Sequence, residues 1–170
     1  MFSIQLKKPK KIMKRPWNRV DLPVYSISST FQDEENMHIC TYVSSISMTP
    51  KRMMVAIYKG TKTLEITTKN STMVLQLLGE KQYNLINLLG QHSGFTTNKV
   101  ERLKKRNLIK SWKKFSVLKE ALSYIELKTL NRIDAGDHIL HICDVVSFCN
   151  NLPGEPLTLD LLRKKKLIRG

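Results

Sequence analysis

Cysteine is scarce in this chain, with three in 170 residues, at positions 40, 143 and 149. An odd and small number builds no disulfide framework, so the fold rests on its core, and a reducing, cytoplasmic setting is expected. No apolar run reaches the roughly 18 residues of a membrane-spanning helix. None follows the basic N-terminus in the way a secretory signal requires. Acid is also short: 14 Asp and Glu stand against 29 Lys and Arg, a formal charge of +15. No Gly-x-Ser-x-Gly elbow occurs, no Walker pattern and no zinc spacing, so a serine-hydrolase triad, a P-loop and a zinc centre are not expected. No internal repeat is present. What remains is 41% apolar and 25% charged, ordinary for a globular chain and too apolar for a disordered one, and its length suits one domain.

The charge is uneven. Residues 1–19 carry seven cations and no acid, residues 99–114 carry eight with only Glu101, and residues 163–170 carry five with none. These segments hold 20 of the 29 cations, leaving a body of 9 cations and 13 acids. Clustered Lys and Arg, with Trp17 and Trp112 among them to stack on bases, fit a nucleic-acid partner. They fit a solubilising surface as well, since net charge speaks to solubility and association. No nucleic-acid-binding signature accompanies them, so nucleic acid is not the expected partner. A membrane surface is not expected either, because the basic stretches lack an apolar face.

The pattern predicts about six strands and two or three helices. Val24–Phe31 and Met37–Ser44 read as a hairpin around the polar turn Gln32–Asn36. Ser44–Pro50 reads as a loop or irregular edge. Met53–Tyr58 and Met73–Leu78 are apolar runs of buried-strand length. Thr61–Lys69 reads as a short helix with Leu64 and Ile66 inward, Glu80–Leu89 as a helix, and Thr97–Arg106 as a basic helix. Ser123–Leu130 alternates as a half-buried strand does. The turn Asp134–Asp137 leads into a long strand, His138–Phe148, and Pro153-Gly154 marks a loop. Polar turns between neighbours weight the sheet to antiparallel, so the fold class is mainly β with helical insertions, a small barrel plus α.

Two segments favour a phosphate. In Lys59-Gly60-Thr61-Lys62-Thr63 a strand ends and a helix opens, where backbone N–H groups and partial positive charge attract anions; ordinary helix capping explains the same residues. Cys40-Thr41-Tyr42-Val43-Ser44-Ser45-Ile46-Ser47 is dense in short hydroxyl donors; an edge strand running into a polar loop explains it equally. His38 and Cys40 share one strand face, as do His141 and Cys143, while His138 faces the other way. Buried thiols and satisfied histidines are the default for these pairs, and no metal is expected. A cysteine nucleophile has no identifiable base.

The order of these segments from Leu22 to Phe148 resembles the flavin reductase-like family. Its Pro-containing first strand is matched by Leu22–Thr30, and the turn with an Asn by Glu35-Asn36. The hydroxyl strand, Ser-rich loop and proline are matched by Cys40–Ser47 and Met48-Thr49-Pro50. The apolar strand with a Lys and a following Thr is matched by Met53–Tyr58, Lys59 and Thr63, and the Gly-Asp-His before a late strand by Gly136-Asp137-His138. The chain departs from the family where Asp-Pro-Pro becomes Thr49-Pro50-Lys51, where an Asn is replaced near Gln76, and where a cysteine is absent around Glu126-Leu127.

The resemblance implies an FMN-binding split barrel over residues 1–170, with residues 1–19 and 163–170 as basic extensions. It implies an oxidoreductase that passes hydride from NADH or NADPH to flavin. Thr41, Ser44, Ser45, Ser47, Lys59 and Thr63 would hold the phosphate and ribityl chain. The backbone of Tyr42, Val43 and Tyr58 would meet the isoalloxazine edge, and His138 would lie by the nicotinamide. A homodimer is implied, with a monooxygenase or another electron acceptor as partner. An FMN-bound electron carrier without NAD(P)H turnover and a basic nucleic-acid-binding module are the alternatives.

Overall fold

The computed structural model describes residues 16–168. The calls for an anion-binding role in the basic N-terminal segment fall largely on residues 1–15, outside the described residues.

Among the described residues nine strands and three α-helices form in chain order: β1 (Tyr25–Phe31), β2 (Glu34–Cys40), β3 (Val43–Ser47), β4 (Arg52–Tyr58), α1 (Lys62–Lys69), β5 (Thr72–Leu77), α2 (Lys99–Lys105), β6 (Ile109–Trp112), β7 (Phe115–Leu118), β8 (Ser123–Asp134), β9 (His138–Asn150) and α3 (Leu159–Lys164). Seven strands make one sheet in the order β2-β1-β5-β8-β9-β4-β3, and every pairing is antiparallel. The two edge strands are consecutive in the chain, joined only through Thr41 and Tyr42. The chain therefore turns the sheet back on itself. Tyr42 O accepts from Ala56 N at 2.9 Å, and Cys40 Sγ lies 3.5 Å from Ala56 O, which ties the end of β2 to β4. The barrel expected from the sequence forms, closed at this end and parted further along β2.

β5 shows why its sequence is an almost unbroken apolar run. Met73 and Leu75 face the barrel interior with Ile27, Val55, Ile57, Leu127 and Cys143. Val74 and Leu78 face outward into a second core with Met37, Leu89, Leu103, Val117, Tyr124 and Leu162. A strand buried on both faces carries no alternation. Gln76 is the polar exception, fully buried: its Nε2 donates to Ser28 Oγ at 3.1 Å and its Oε1 accepts from Leu118 N at 2.6 Å. It fastens the outer hairpin β6–β7 to the barrel wall.

Four expectations are corrected. Ser44–Pro50 is strand in its first half, because Ser44 and Ser45 pair with Met54 and Met53 of β4. Glu80–Leu89 is not an α-helix. A 3-10 segment (Glu80–Leu85) runs into one wide turn (Asn87–Gln91), and together they bury Leu85, Leu88 and Leu89, the same i, i+3, i+4 set that an α-helix would put on one face. Residues 99–114 are not one charged surface: α2 and β6 lie within them, α2 burying Val100, Leu103 and the Lys99 side chain while the other seven cations are exposed, and β6 pairs with β7, which buries Phe115 and Val117. Strands of four residues are too short to show a period. Trp112 is not presented to a base, since its ring packs 5.5 Å from Tyr124. α3 was also missed; Thr158 caps it by accepting from Leu161 N.

Candidate functional site

A cleft of about 560 Å³ opens where β2 parts from β4. Its walls come from alternate residues of β2 (Asn36, His38, Cys40), the link Thr41–Tyr42, the end of β4 with Gly60–Lys62, and the segment Gly90–Gly94 with Lys99. Asn36, His38 and Cys40 share a face because strand side chains alternate, and four residues of strand span roughly 13 Å. That gives the cleft a long axis with two different ends.

At the Asn36 end, α1 begins. Thr61 is its N-cap, accepting from Leu64 N at 3.3 Å. The first-turn N–H groups of a helix have no intrahelical partner and carry partial positive charge. Asn36 Nδ2 donates to Thr63 Oγ1 at 2.9 Å, so Thr63 is a buried brace behind the wall. Lys62 pairs with Glu34 and stands over the Phe95 ring, 5.7 Å from its centre. Gly94 closes this end. A Cβ there would lie 2.7 Å from Asn36 Oδ1 and 2.9 Å from both Asn36 Nδ2 and Lys62 Cβ, so only glycine leaves the cradle open.

At the Cys40 end the wall is aromatic. His138 stands between Tyr42 and Tyr58, its ring centre 5.2 Å from each in edge contact, and its Nδ1 is 2.6 Å from Asp137 Oδ1. Both tyrosines are more than half exposed. Burial holds the Cys40 thiol up at about 12, which makes it a poor nucleophile at neutral pH.

Between the ends lie His38 and Lys99. The His38 Nδ1 atom is buried with no hydrogen-bond partner, and desolvation, with Lys99 and His138 nearby, lowers its pKa to about 4. Lys99 is only 2% exposed; its Nζ donates to Leu89 O at 2.9 Å, and desolvation lowers its pKa to about 8.

Of the residues singled out from sequence, the structure brings Thr41, Tyr42, Tyr58 and His138 to this cleft. Val43, Ser44, Ser45 and Ser47 follow along β3 and are not among the lining residues; Ser44 and Ser45 are exposed. Lys59 turns to Asp134, with 2.8 Å between Nζ and Oδ2. The two segments expected to close on one ligand do meet, but through Thr41–Tyr42 and Gly60–Lys62. Sequence reading missed Asn36, His38, Gly94 and Lys99 as wall residues. His38 and Cys40 had been placed on one face, which was the available signal; the approach of Gly94 and Lys99 is purely tertiary. His141 and Cys143 lie inside the barrel, where Thr129 Oγ1 is 3.2 Å from His141 Nδ1 and 3.7 Å from Cys143 Sγ. Among the described residues no cluster of three or more His, Cys, Asp or Glu is placed to hold a metal, and no helix is long and apolar enough to cross a membrane.

Residues 17–165 match the family model described as flavin reductase like domain, and the chain belongs to that family. The fold is shared with an FMN-binding protein from Thermus thermophilus, solved with bound 1-cyclohex-2-enone: 20% identity, 92% of this chain and 86% of that one, TM-score 0.72. It is shared with the styrene monooxygenase flavin reductase of Pseudomonas putida S12 at 19% identity, over 81% of this chain and 85% of that one, TM-score 0.68. A flavoredoxin from Methanosarcina acetivorans aligns at 14% identity over 92% of this chain and 81% of that one, TM-score 0.69. No curated protein matches the chain.

Proposed function

We propose that the cleft binds FMN and that the protein is an oxidoreductase of the flavin reductase type, taking hydride from NADH or NADPH. The observation that carries this reading is the two-ended cleft in a chain of this family. The Asn36 end offers the N-terminus of α1, capped by a Thr61 whose hydroxyl donates to Tyr58 O at 2.8 Å, and a cradle that a Cβ at position 94 would fill. The orphaned His38 Nδ1 on the same wall awaits a polar partner. These features suit a phosphate and a polyol chain. The exposed rings of Tyr42 and Tyr58 and the imidazole of His138 suit a flat heteroaromatic ring.

The flavin, when bound, supplies the hydride-accepting chemistry. This chain's residues do the rest. The backbone N–H groups at the opening of α1 fix the phosphate, Asn36 is held in place by Thr63, and Tyr42, Tyr58 and His138 form the ledge on which a nicotinamide is laid. Orienting two rings for direct transfer can be worth on the order of 7–11 kcal/mol, with no side-chain nucleophile. The Asp137 carboxylate fixes the His138 ring. Ser44, Ser45 and Ser47 on β3, with Val43, and Lys59 beyond the strand end flank this ledge as outer contacts. A second copy of the chain is the proposed partner at the exposed apolar positions Ile46, Met48, Val146 and Phe148. Reduced flavin is proposed to pass to a monooxygenase, as the Pseudomonas putida likeness suggests. The flavoredoxin likeness supports a second reading, an electron carrier without NAD(P)H turnover.

The test is an absorbance spectrum of the protein with FMN before and after anaerobic NADH or NADPH. A bound-flavin spectrum that bleaches with either nucleotide supports the reductase. A bound spectrum that persists with both, yet bleaches with dithionite, selects the carrier. No FMN-dependent change in spectrum or melting temperature sinks the flavin reading.

A further inference from the structure

Lys99 is a buried charge without a counter-charge. Lysine is almost never fully buried unless paired, and an unpaired buried ion is costly. Around the same cleft Lys62 pairs with Glu34, Lys104 with Glu35 and Lys59 with Asp134. Lys99 forms no ion pair among the described residues; its one bond is to a neutral carbonyl, Leu89 O. Beside it on the wall stands His38, whose buried Nδ1 also has no partner.

Position separates Lys99 from the phosphate end. Gly94, Lys62 and the start of α1 gather at Asn36, whereas Lys99 Nζ is held by Leu89 O beside Gly90, which approaches Ile39, the neighbour of His38 further along β2. A mononucleotide has one phosphate. Negative charge on the ring itself arises only when the ring is reduced. Hydride transfer carries one proton and two electrons from the nicotinamide carbon to flavin N5, the nicotinamide leaves as a cation, and the negative charge remains on the pyrimidine side of the flavin.

On the reading that FMN occupies this cleft, we infer that Lys99 is the counter-charge for the reduced, anionic flavin ring and so sets the reduction potential of the bound cofactor. His38, neutral and unpartnered, adds polarity there without competing for the proton. The protein thereby tunes charge near the ring.

The test compares the full-length protein with Lys99→Met and Lys99→Gln, measuring oxidised-FMN affinity by fluorescence titration and the potential of bound FMN by anaerobic dye equilibration. Both variants are expected to bind oxidised FMN within threefold of the parent. Their preference for reduced over oxidised FMN should drop at least tenfold, which lowers the two-electron potential by about 30 mV per decade. An unchanged potential in either folded variant overturns the inference, whether oxidised affinity holds or falls: equal loss in both redox states assigns the ammonium to the phosphate or to packing. If the parent itself does not bind FMN, the reading of the cleft fails instead, and the titration of the parent reports that separately.

Discussion

Two histidines, His141 sealed in the barrel and His38 half-buried on the cleft wall, make an instructive pair. His141 lies inside the barrel, fully buried and in register with Val55 of β4, with Thr129 on one nitrogen. His38 lies on the cleft wall beside an uncompensated lysine. Burial lowers both to about 4. The shared titration therefore does not distinguish a structural group from a functional one. What differs is the surroundings: one is enclosed by side chains that fill the space, the other faces a space shaped by Gly94 and left charged by Lys99. Each ring keeps one buried nitrogen without a partner, His38 Nδ1 and His141 Nε2, so an orphaned atom alone marks neither side; a place on the cleft wall beside Lys99 marks the functional one, and the predictions below separate the two regions.

The largest effect belongs to the sealed side. Leu127→Ala deletes a fully buried barrel side chain and should cost about 2–5 kcal/mol of stability in denaturant unfolding. FMN affinity of the folded fraction should stay within threefold. A loss of affinity matching the loss of stability would mean that the two regions are one unit.

Acid comes next. The unfolded histidines take protons near pH 6.5, the folded ones only near 4. Their contribution is constant above pH 6.5 and is lost as pH falls from there towards 4, on the order of 3 kcal/mol for each histidine. Imidazole NMR should show FMN shifting the His38 titration while leaving that of His141 in place. Equal shifts would erase the comparison.

On the cleft side, Gly94→Ala should weaken FMN binding about tenfold, roughly 1.4 kcal/mol, because the new Cβ meets the buried Asn36 amide and the Lys62 stem. Fluorescence titration reads this. Undiminished affinity would move the phosphate away from this cradle. The smallest effect is expected at Lys59→Ala, whose partly exposed ion pair with Asp134 is worth under about 1 kcal/mol. Thermal melting and FMN titration should both change little, and a tenfold affinity loss would bring Lys59 back into phosphate binding.

Much of the barrel was legible because its strands carry their own signals. Met53–Tyr58, Met73–Leu78 and the long final pair are apolar, β-branched or alternating, and polar turns separate them. The short helix α1 was legible through Thr61 and the inward Ile66. The hairpin β6–β7 was not, since its four-residue strands sit in a run of lysines. The 80–91 segment was misread because an apolar spacing fits an α-helix as well as a tighter turn followed by a wider one.

Sequence by itself determined about six of the nine strands among the described residues, their antiparallel sense, and the rim residues Thr41, Tyr42, Tyr58 and His138, since each follows from local patterning or family motif. The tertiary structure alone decided that Lys99 lies unpaired behind His38, that Gly94 approaches Asn36, and that Lys59 turns away to Asp134. These depend on segments as much as 75 residues apart meeting in space. No local preference of either partner specifies such a meeting; it is fixed by how the sheet closes.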